Sequence, residues 1–107
     1  MLESEIQKQC LDLLKLYNIY SWRQNTGAFK KGRSYIKFAF KGCSDILGIC
    51  PDGRFLAIEC KRTSGGVLSD EQKEFLINVK KNGGVAIITN SVERLKEELI
   101  ANNVIKK

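Results

Sequence analysis

The fold is decided by residues 45–61, which read Asp45-Ile-Leu-Gly-Ile-Cys-Pro-Asp-Gly-Arg-Phe-Leu-Ala-Ile-Glu-Cys-Lys61. Two apolar runs flank the Pro-Asp-Gly triplet at 51–53, which suits a three-residue hairpin loop with a left-handed glycine. In the register that this loop sets, Asp45 lies directly opposite Glu59. Because side chains alternate along a strand, both carboxylates and Lys61 would share one face of the sheet.

This pair of facing carboxylates would lie on strands that are otherwise apolar, where like charges repel unless a cation neutralises them. A hard divalent ion such as Mg²⁺, held by oxygen ligands, resolves the repulsion. The alternative is a salt-bridge cluster in which Lys61 or Arg62 neutralises Asp45 and Glu59. The prediction also depends on the register, because a slip of one residue would send the two acids to opposite faces.

A helix precedes this hairpin, and it carries a third candidate acid. Apolar residues such as Ile6 and Leu14 recur at helical spacing from residue 3 to about residue 17. Glu3 falls on the same apolar face and Glu5 on the opposite one, so Glu3 would point inward and Glu5 toward water. The other interpretation of Glu3 is an acid that favours the helix dipole from the first turn.

The remaining elements follow from periodicity and from turn residues. We expect strands at 20–25 and 35–40, a Lys/Gly-rich turn at 30–34, a flexible loop at 63–66, a helix at 69–82, a strand at 85–89 and a helix at 91–102. The predicted fold class is α/β, a mixed sheet flanked by helices in αβββαβα order. The length predicts a single domain over 1–107.

Gln72 has two candidate roles. Ser69-Asp-Glu-Gln72 has the pattern of a capping box, in which Gln72 bonds back to the Ser69 amide. The short loop before this helix would also bring its start near the end of the strand that carries Glu59 and Lys61. A contact between Gln72 and the ligand is therefore the second possibility.

Composition narrows the chemistry. The chain has 107 residues and no histidine, which excludes Ser-His-Asp and Cys-His nucleophiles and histidine-ligated zinc. Any catalysis must use carboxylates, lysine or an oxygen-bound metal. The four cysteines form no Cys-x-x-Cys pair and read as core residues. With no secretory signal and no long apolar run, we expect a reducing cytoplasmic location and no membrane partner.

The net charge of +6 is concentrated between residues 23 and 41, where six cations occur without an acid. Aromatic residues, including Trp22, are interleaved with them. This combination predicts a polyanionic partner, and nucleic acid is the leading candidate. The alternative is a solvated basic hairpin, which would have the same composition. The candidate DNA-binding residues are Arg23, Asn25, Lys30, Lys31, Arg33, Lys37 and Lys41.

Asp45 followed by Glu59-Cys60-Lys61, after a helix bearing Glu3, resembles the PD-(D/E)XK nuclease superfamily with its restriction-endonuclease-like core. More narrowly, the chain resembles the stand-alone VRR-NUC (virus-type replication-repair nuclease) domains of phages. The matching stretches lie at 3–7, 22–29, 42–48, 51–61, 68–72 and 83–86. The chain departs from the superfamily pattern at Ser44, where a proline usually precedes the aspartate.

The resemblance implies a role for each matching residue. Asp45 and Glu59 would bind Mg²⁺ or Mn²⁺ with help from the Cys60 carbonyl, and Glu3 would complete the metal shell directly or through water. Lys61 would position or deprotonate the attacking water, or stabilise phosphate charge. Gln72 corresponds to the glutamine that the family carries at this helix start. The implied catalytic residues are Asp45, Glu59, Lys61 and Gln72. The implied reaction is phosphodiester hydrolysis, which needs no nucleotide cofactor. If a phage encodes the chain, the reaction would take place in the host cytoplasm.

The expected function is a metal-dependent DNA endonuclease selective for branched DNA, as in Holliday junction resolvases. The alternatives are an inactive DNA-binding module and a restriction-type endonuclease, although 107 residues leave little room for a subdomain that reads bases.

We also expect a homodimer, because a two-fold axis supplies two sites for paired cuts. Its apolar surface would come from Phe29, Tyr35, Phe38 and Phe40, unless these residues complete the core.

Overall fold

A mixed sheet forms the centre of this computed structural model, which describes residues 1–24, 28–31, 34–37, 41–63 and 66–107. Within these ranges the sheet has the strand order β1-β4-β5-β6, and β2 and β3 form a separate two-stranded sheet. The elements are α1 Glu3–Leu16, β1 Tyr20–Arg23, β2 Ala28–Lys31, β3 Ser34–Lys37, β4 Ile46–Ile49, β5 Phe55–Cys60, α2 Asp70–Lys81, β6 Val85–Thr89 and α3 Val92–Ala101.

The sheet is antiparallel from β1 to β5 and parallel between β5 and β6. The parallel pair requires a crossover, and α2 supplies it. When the separate β2–β3 hairpin is set aside, the elements follow the predicted αβββαβα order. The predicted α/β class with a mixed sheet and flanking helices is therefore confirmed.

The basic segment differs from the prediction. A turn was expected at 30–34, but Lys30 and Lys31 belong to β2, which pairs with β3 antiparallel from Ala28↔Lys37 to Lys31↔Ser34. The two lysines suggested a turn because strands of a central sheet seldom carry them, whereas short edge strands tolerate lysine. The last three residues of the strand expected at 35–40 lie outside the described residues.

The β4–β5 hairpin has the predicted register. Ile46 pairs with Ile58 and Ile49 with Phe55, and the amide of Cys50 donates to the carbonyl of Arg54 at 2.8 Å. Gly53 closes the loop at φ +92°, a left-handed conformation that side chains other than glycine rarely adopt. A local three-residue loop therefore fixes which side chains of the two strands face each other.

The helices cover the two faces of the sheet. α1 and α3 pack on one face, where Ile6, Leu14 and Leu99 are fully buried against residues such as Ile58. α2 packs on the other face, where its buried residues Leu76 and Val79 contact Leu47 and Ala57. The four cysteines are free and buried, as predicted. Among the described residues, we find no helix whose length and apolar character would let it cross a membrane.

Candidate active site

The hairpin register brings Asp45 and Glu59 together at the end of β4 and β5, on the face that α2 covers. Asp45 directly precedes β4, and its Oδ2 accepts a hydrogen bond from the amide of Cys60 at 2.9 Å. This bond anchors the Asp45 carboxylate on the strand that carries Glu59. The two acids that the sequence paired through the loop are thus neighbours in the structure.

Glu59 is a buried carboxylate with an incomplete set of partners. Its residue surface is 1% exposed, and its Oε2 has no hydrogen-bond partner among the described residues. Burial, then the contact with the Asp45 carboxyl and its charge, raise the pKa of Glu59 to about 9. The pair can thus hold a proton between its carboxyl groups, or it can bind a cation that replaces the proton.

Lys61 is the cation nearest to this pair in the described structure. Its Nζ lies 3.8 Å from Glu59 Oε1 and donates to Gln72 Oε1 at 3.2 Å. Its side chain is 15% exposed, so Lys61 is largely enclosed beside the carboxylates. Lys61 therefore forms part of the salt-bridge cluster that the sequence offered as the alternative.

Gln72 performs both roles that the sequence left open. Its side-chain Oε1 accepts a hydrogen bond from the backbone N–H of Ser69 at 2.9 Å, and its backbone N–H donates to Ser69 Oγ at 3.1 Å. The capping box is therefore complete. The same side chain donates from Nε2 to Glu59 Oε1 at 3.0 Å and accepts from Lys61. The side-chain amide of Gln72 thus caps α2 and also holds Glu59 and Lys61 in position.

These two roles can be separated by mutation. Ser69→Ala removes the cap and should lower the free energy of unfolding by about 1 kcal/mol with little effect on DNA cleavage. Gln72→Ala should lower stability by a similar amount and also reduce cleavage roughly 10- to 100-fold, the usual effect of losing a group that orients a metal ligand. Thermal unfolding and initial cleavage rates check both. Equal cleavage rates in the two variants would show that Gln72 acts only as a cap.

The loop before Asp45 packs against the start of α2. Gly42 has φ +92°, and a Cβ atom there would lie 2.5 Å from the carbonyl oxygen of Glu71, so only glycine allows this close approach. Lys41 Nζ contacts Glu71 Oε1 at 3.2 Å. Ser44 is fully buried, and its Oγ has no partner among the described residues. The missing proline thus leaves a buried hydroxyl beside Asp45.

Glu3 and Glu5 have the orientations that the helical spacing predicted, since Glu3 is half-buried and Glu5 is exposed. The charge of Glu3 contributes weakly to the raised pKa of Glu59. Both glutamates line an open cleft of about 530 Å³ with Arg62. Within the described ranges, no three acidic or cysteine side chains gather closely enough to hold a metal ion. The structure thus brings two of the three predicted acids together.

The predicted DNA-binding residues are described in part. Arg23 ends β1, and Lys41 lies beside α2; both are exposed. Lys30, Lys31 and Lys37 belong to the β2–β3 hairpin, of which only the backbone is described. Asn25 and Arg33 lie outside the described residues, as do Phe38 and Phe40 of the expected dimer surface; the side chains of Phe29 and Tyr35 are also not described.

The sequence did not identify Gln24 as a neighbour of the site. Its amide donates to the Asp45 carbonyl at 2.7 Å, and its Oε1 accepts from Trp22 Nε1 at 3.0 Å. β1 pairs with β4 from Tyr20↔Ile49 to Arg23↔Ile46. About twenty residues connect these strands, so no local turn signal could have given this register.

The comparison with protein families agrees with this geometry. A model of the VRR-NUC domain matches residues 3–93, a range that runs from the start of α1 through β6 and so includes every residue of the site. No curated protein matches the chain. Because the match spans most of the sequence, and because the mixed sheet presents Asp45, Glu59 and Lys61 in the PD-(D/E)XK manner, the chain belongs to the VRR-NUC family of nuclease domains that act on DNA.

Proposed function

We propose that this nuclease domain is a divalent-metal-dependent endonuclease that hydrolyses phosphodiester bonds in branched DNA. The observation that carries the proposal is the pair of the half-buried Asp45 and the buried Glu59, in which Glu59 Oε2 lacks a partner among the described residues. Two adjacent carboxylates with an unused oxygen and a lysine beside them are poorly stabilised as a structural cluster. As a ligand set they are well matched to a hard cation.

The donor chemistry supports Mg²⁺ or Mn²⁺. Mg²⁺ commonly uses one or two carboxylates and fills its other positions with water and substrate phosphate oxygens. Asp45 and Glu59 would supply the carboxylates, the Cys60 carbonyl a further oxygen, and Glu3 a contact through water. When bound, the ion would neutralise phosphate charge and lower the pKa of a water molecule that it binds.

Two further side chains, Lys61 and Gln72, would orient the reacting groups and the metal ligands. Lys61 is held by Gln72 and Glu59 beside the carboxylate pair, where its ammonium group can bind a phosphate oxygen or orient the attacking water. A fixed positive charge that meets developing negative charge stabilises the transition state more than the bound substrate. Gln72 keeps Glu59 Oε1 occupied, so Oε2 remains the oxygen directed to the ligand.

The direct test uses labelled four-way junctions, flaps, forks, blunt duplexes and single strands of related sequence, incubated with Mg²⁺ or Mn²⁺ and separated by electrophoresis. We expect cleavage of branched substrates, at positions set by the branch and not by the bases, and none in EDTA. Cleavage in EDTA would contradict the metal requirement, and equal cleavage of unbranched duplex would contradict selectivity for structure.

The basic segment should determine how DNA affinity depends on salt. If Lys30, Lys31 and Arg33 contact phosphates, replacing all three with alanine should reduce the slope of log affinity against log salt by about 0.9 per lost contact, for every DNA sequence. Fluorescence anisotropy across a salt series measures this slope. A matched variant, with alanine at the exposed Lys96, Lys106 and Lys107, removes the same charge elsewhere. Equal slopes in both variants would identify the segment as a solvated surface.

We also propose that two copies act together on a four-way junction. A two-fold dimer would present two identical sites to opposing strands, which paired cuts require. Light scattering from micromolar to submillimolar protein, with and without junction DNA, should give twice the chain mass of 12.1 kDa. A monomer at every concentration that still makes paired symmetric cuts would contradict this proposal.

A further inference from the structure

Among the described residues, no helix covers the β1 and β4 side of the sheet face that carries the site. α2 packs against β5 and β6, at the other side of the face from β1. On β1 and β4, and at the first residue of β5, the face presents large side chains to solvent. The exposed fractions are 72% for Tyr20, 37% for Trp22, 45% for Ile49 and 40% for Phe55.

These residues are continuous with the candidate metal ligands. Trp22 lies opposite Leu47, which lies opposite Ala57, so the indole is on the face that also carries Asp45 and Glu59. Asp45 is two residues from Leu47 along the chain, a step of about 7 Å on one face. The exposed aromatic surface therefore begins at the next position along the strands from the carboxylate pair.

The tryptophan ring is held in place on this surface. Its Nε1 donates to Gln24 Oε1 at 3.0 Å, and the Gln24 amide donates to the carbonyl of Asp45 at 2.7 Å. Tyr20 contacts the indole edge-on, with ring centroids 5.8 Å apart and planes at 60°. The indole is thus tied through Gln24 to the backbone of a site residue, so its orientation is fixed before a ligand binds.

We infer that Trp22 and Tyr20 form a stacking platform for unpaired nucleobases of the DNA strand that enters the active site. The exposed rings can stack on any base, because every base has a π-face. The occupant is DNA and not a second protein chain, because Lys61 and Lys41 lie on the same side of the molecule as the carboxylates. Their ammonium groups, beside Glu59 and Glu71, can also contact a phosphate backbone. Proteins that bind single strands combine such cations with aromatic rings. The inference rests on the proposed function and adds that the bound strand is unpaired beside the cleaved bond.

Trp22 is the single tryptophan of the chain, so its fluorescence reports on this surface directly. In EDTA, which prevents metal-dependent cleavage, a twelve-nucleotide oligothymidine should quench the emission. A strand of the same length with abasic sites at every position, and a blunt duplex, should quench it far less. The abasic strand keeps the phosphates, so the difference isolates the bases.

Affinity measurements on variants supply a second readout. With labelled oligothymidine, Trp22→Ala should weaken binding about 5- to 150-fold, the effect of losing one stacked base, and Trp22→Phe should restore most of the affinity. Leu16→Ala removes a more exposed apolar side chain from α1, since Leu16 is 76% exposed and Trp22 37%, and should change nothing. Affinity for the abasic strand should be the same in all of these variants.

The outcomes separate this inference from the proposed function. Quenching by unpaired bases in a protein that cleaves no DNA would refute the endonuclease and leave the platform standing. Cleavage of branched DNA with unchanged emission, and with equal affinity for Trp22→Ala, would overturn the platform. Emission that changes with protein concentration and not with DNA would overturn it as well, because a second copy of the chain would then cover this face.

Discussion

Replacing Asp45 with asparagine, or Glu59 with glutamine, is expected to lower the rate of Mg²⁺-dependent DNA cleavage by at least about 1000-fold. A metal ion contributes several kcal/mol to stabilising the charged transition state, and each 1.36 kcal/mol is a factor of ten in rate. Both substitutions keep the size of the side chain. The asparagine of Asp45→Asn retains an oxygen for the Cys60 amide, which donates at 2.9 Å in the structure, so the fold should persist.

Single-turnover cleavage of a four-way junction measures this effect, and anisotropy with the same DNA in EDTA measures binding. We expect binding to remain within a few-fold, because the proposed phosphate contacts are made by cations elsewhere. Glu5→Gln is the matched control: it removes an exposed carboxylate from the first turn of α1 and should leave the rate unchanged. If either site variant kept the wild-type rate, the two carboxylates would not be metal ligands.

Glu59→Gln is also expected to stabilise the protein in the absence of metal. Glu59 has an ordinary pKa of 4.5 when unfolded and about 9 when folded. Between these values the unfolded chain releases a proton that the folded chain keeps, so stability falls as the pH rises. At pH 7 the loss is on the order of 3 kcal/mol relative to pH below 4.5. Glutamine has no charge to bury, and its amide group can donate to the Asp45 carboxylate from the position of Oε2.

Urea unfolding from acidic to mildly alkaline pH in EDTA checks this expectation. The two proteins should have similar stability at pH below 4.5, the ordinary pKa of the carboxyl, and the advantage of Glu59→Gln should grow as the pH rises. Mg²⁺ should then stabilise the wild type more than the variant, because a ligand stabilises the state that binds it. A stability difference that does not vary with pH would show that Glu59 does not keep a proton on folding.

The parts of the site that the sequence predicted correctly depend on local structure. The Pro-Asp-Gly loop fixes the β4–β5 register within a few residues, so the opposition of Asp45 and Glu59 follows from the loop length alone. The inward direction of Glu3 follows in the same way from helical spacing, and the start of α2 follows from its capping residues. Each of these signals acts between residues that are close in the chain.

The basic segment shows where local signals were insufficient. β2 and β3 consist of four residues each, too short for alternation to outweigh the glycines and lysines around them. In the described part of the chain, β2 and β3 pair with each other and do not join the central sheet. The pairing of β2 with β3 is itself local, since only two residues separate Lys31 from Ser34, whereas their separation from the central sheet depends on the packing of the whole molecule.

By itself, the sequence determined the α/β class, the carboxylate pair and the nearby lysine, and its lack of histidine excluded imidazole chemistry. Three features follow from contacts between elements that are distant in the chain. Gln72 holds both Glu59 and Lys61, Gln24 links Trp22 to Asp45, and α2 leaves an aromatic surface open beside the site. The reason is physical: turns and helices are set by neighbours in the chain, whereas these contacts join elements that meet only after the sheet and its helices have packed.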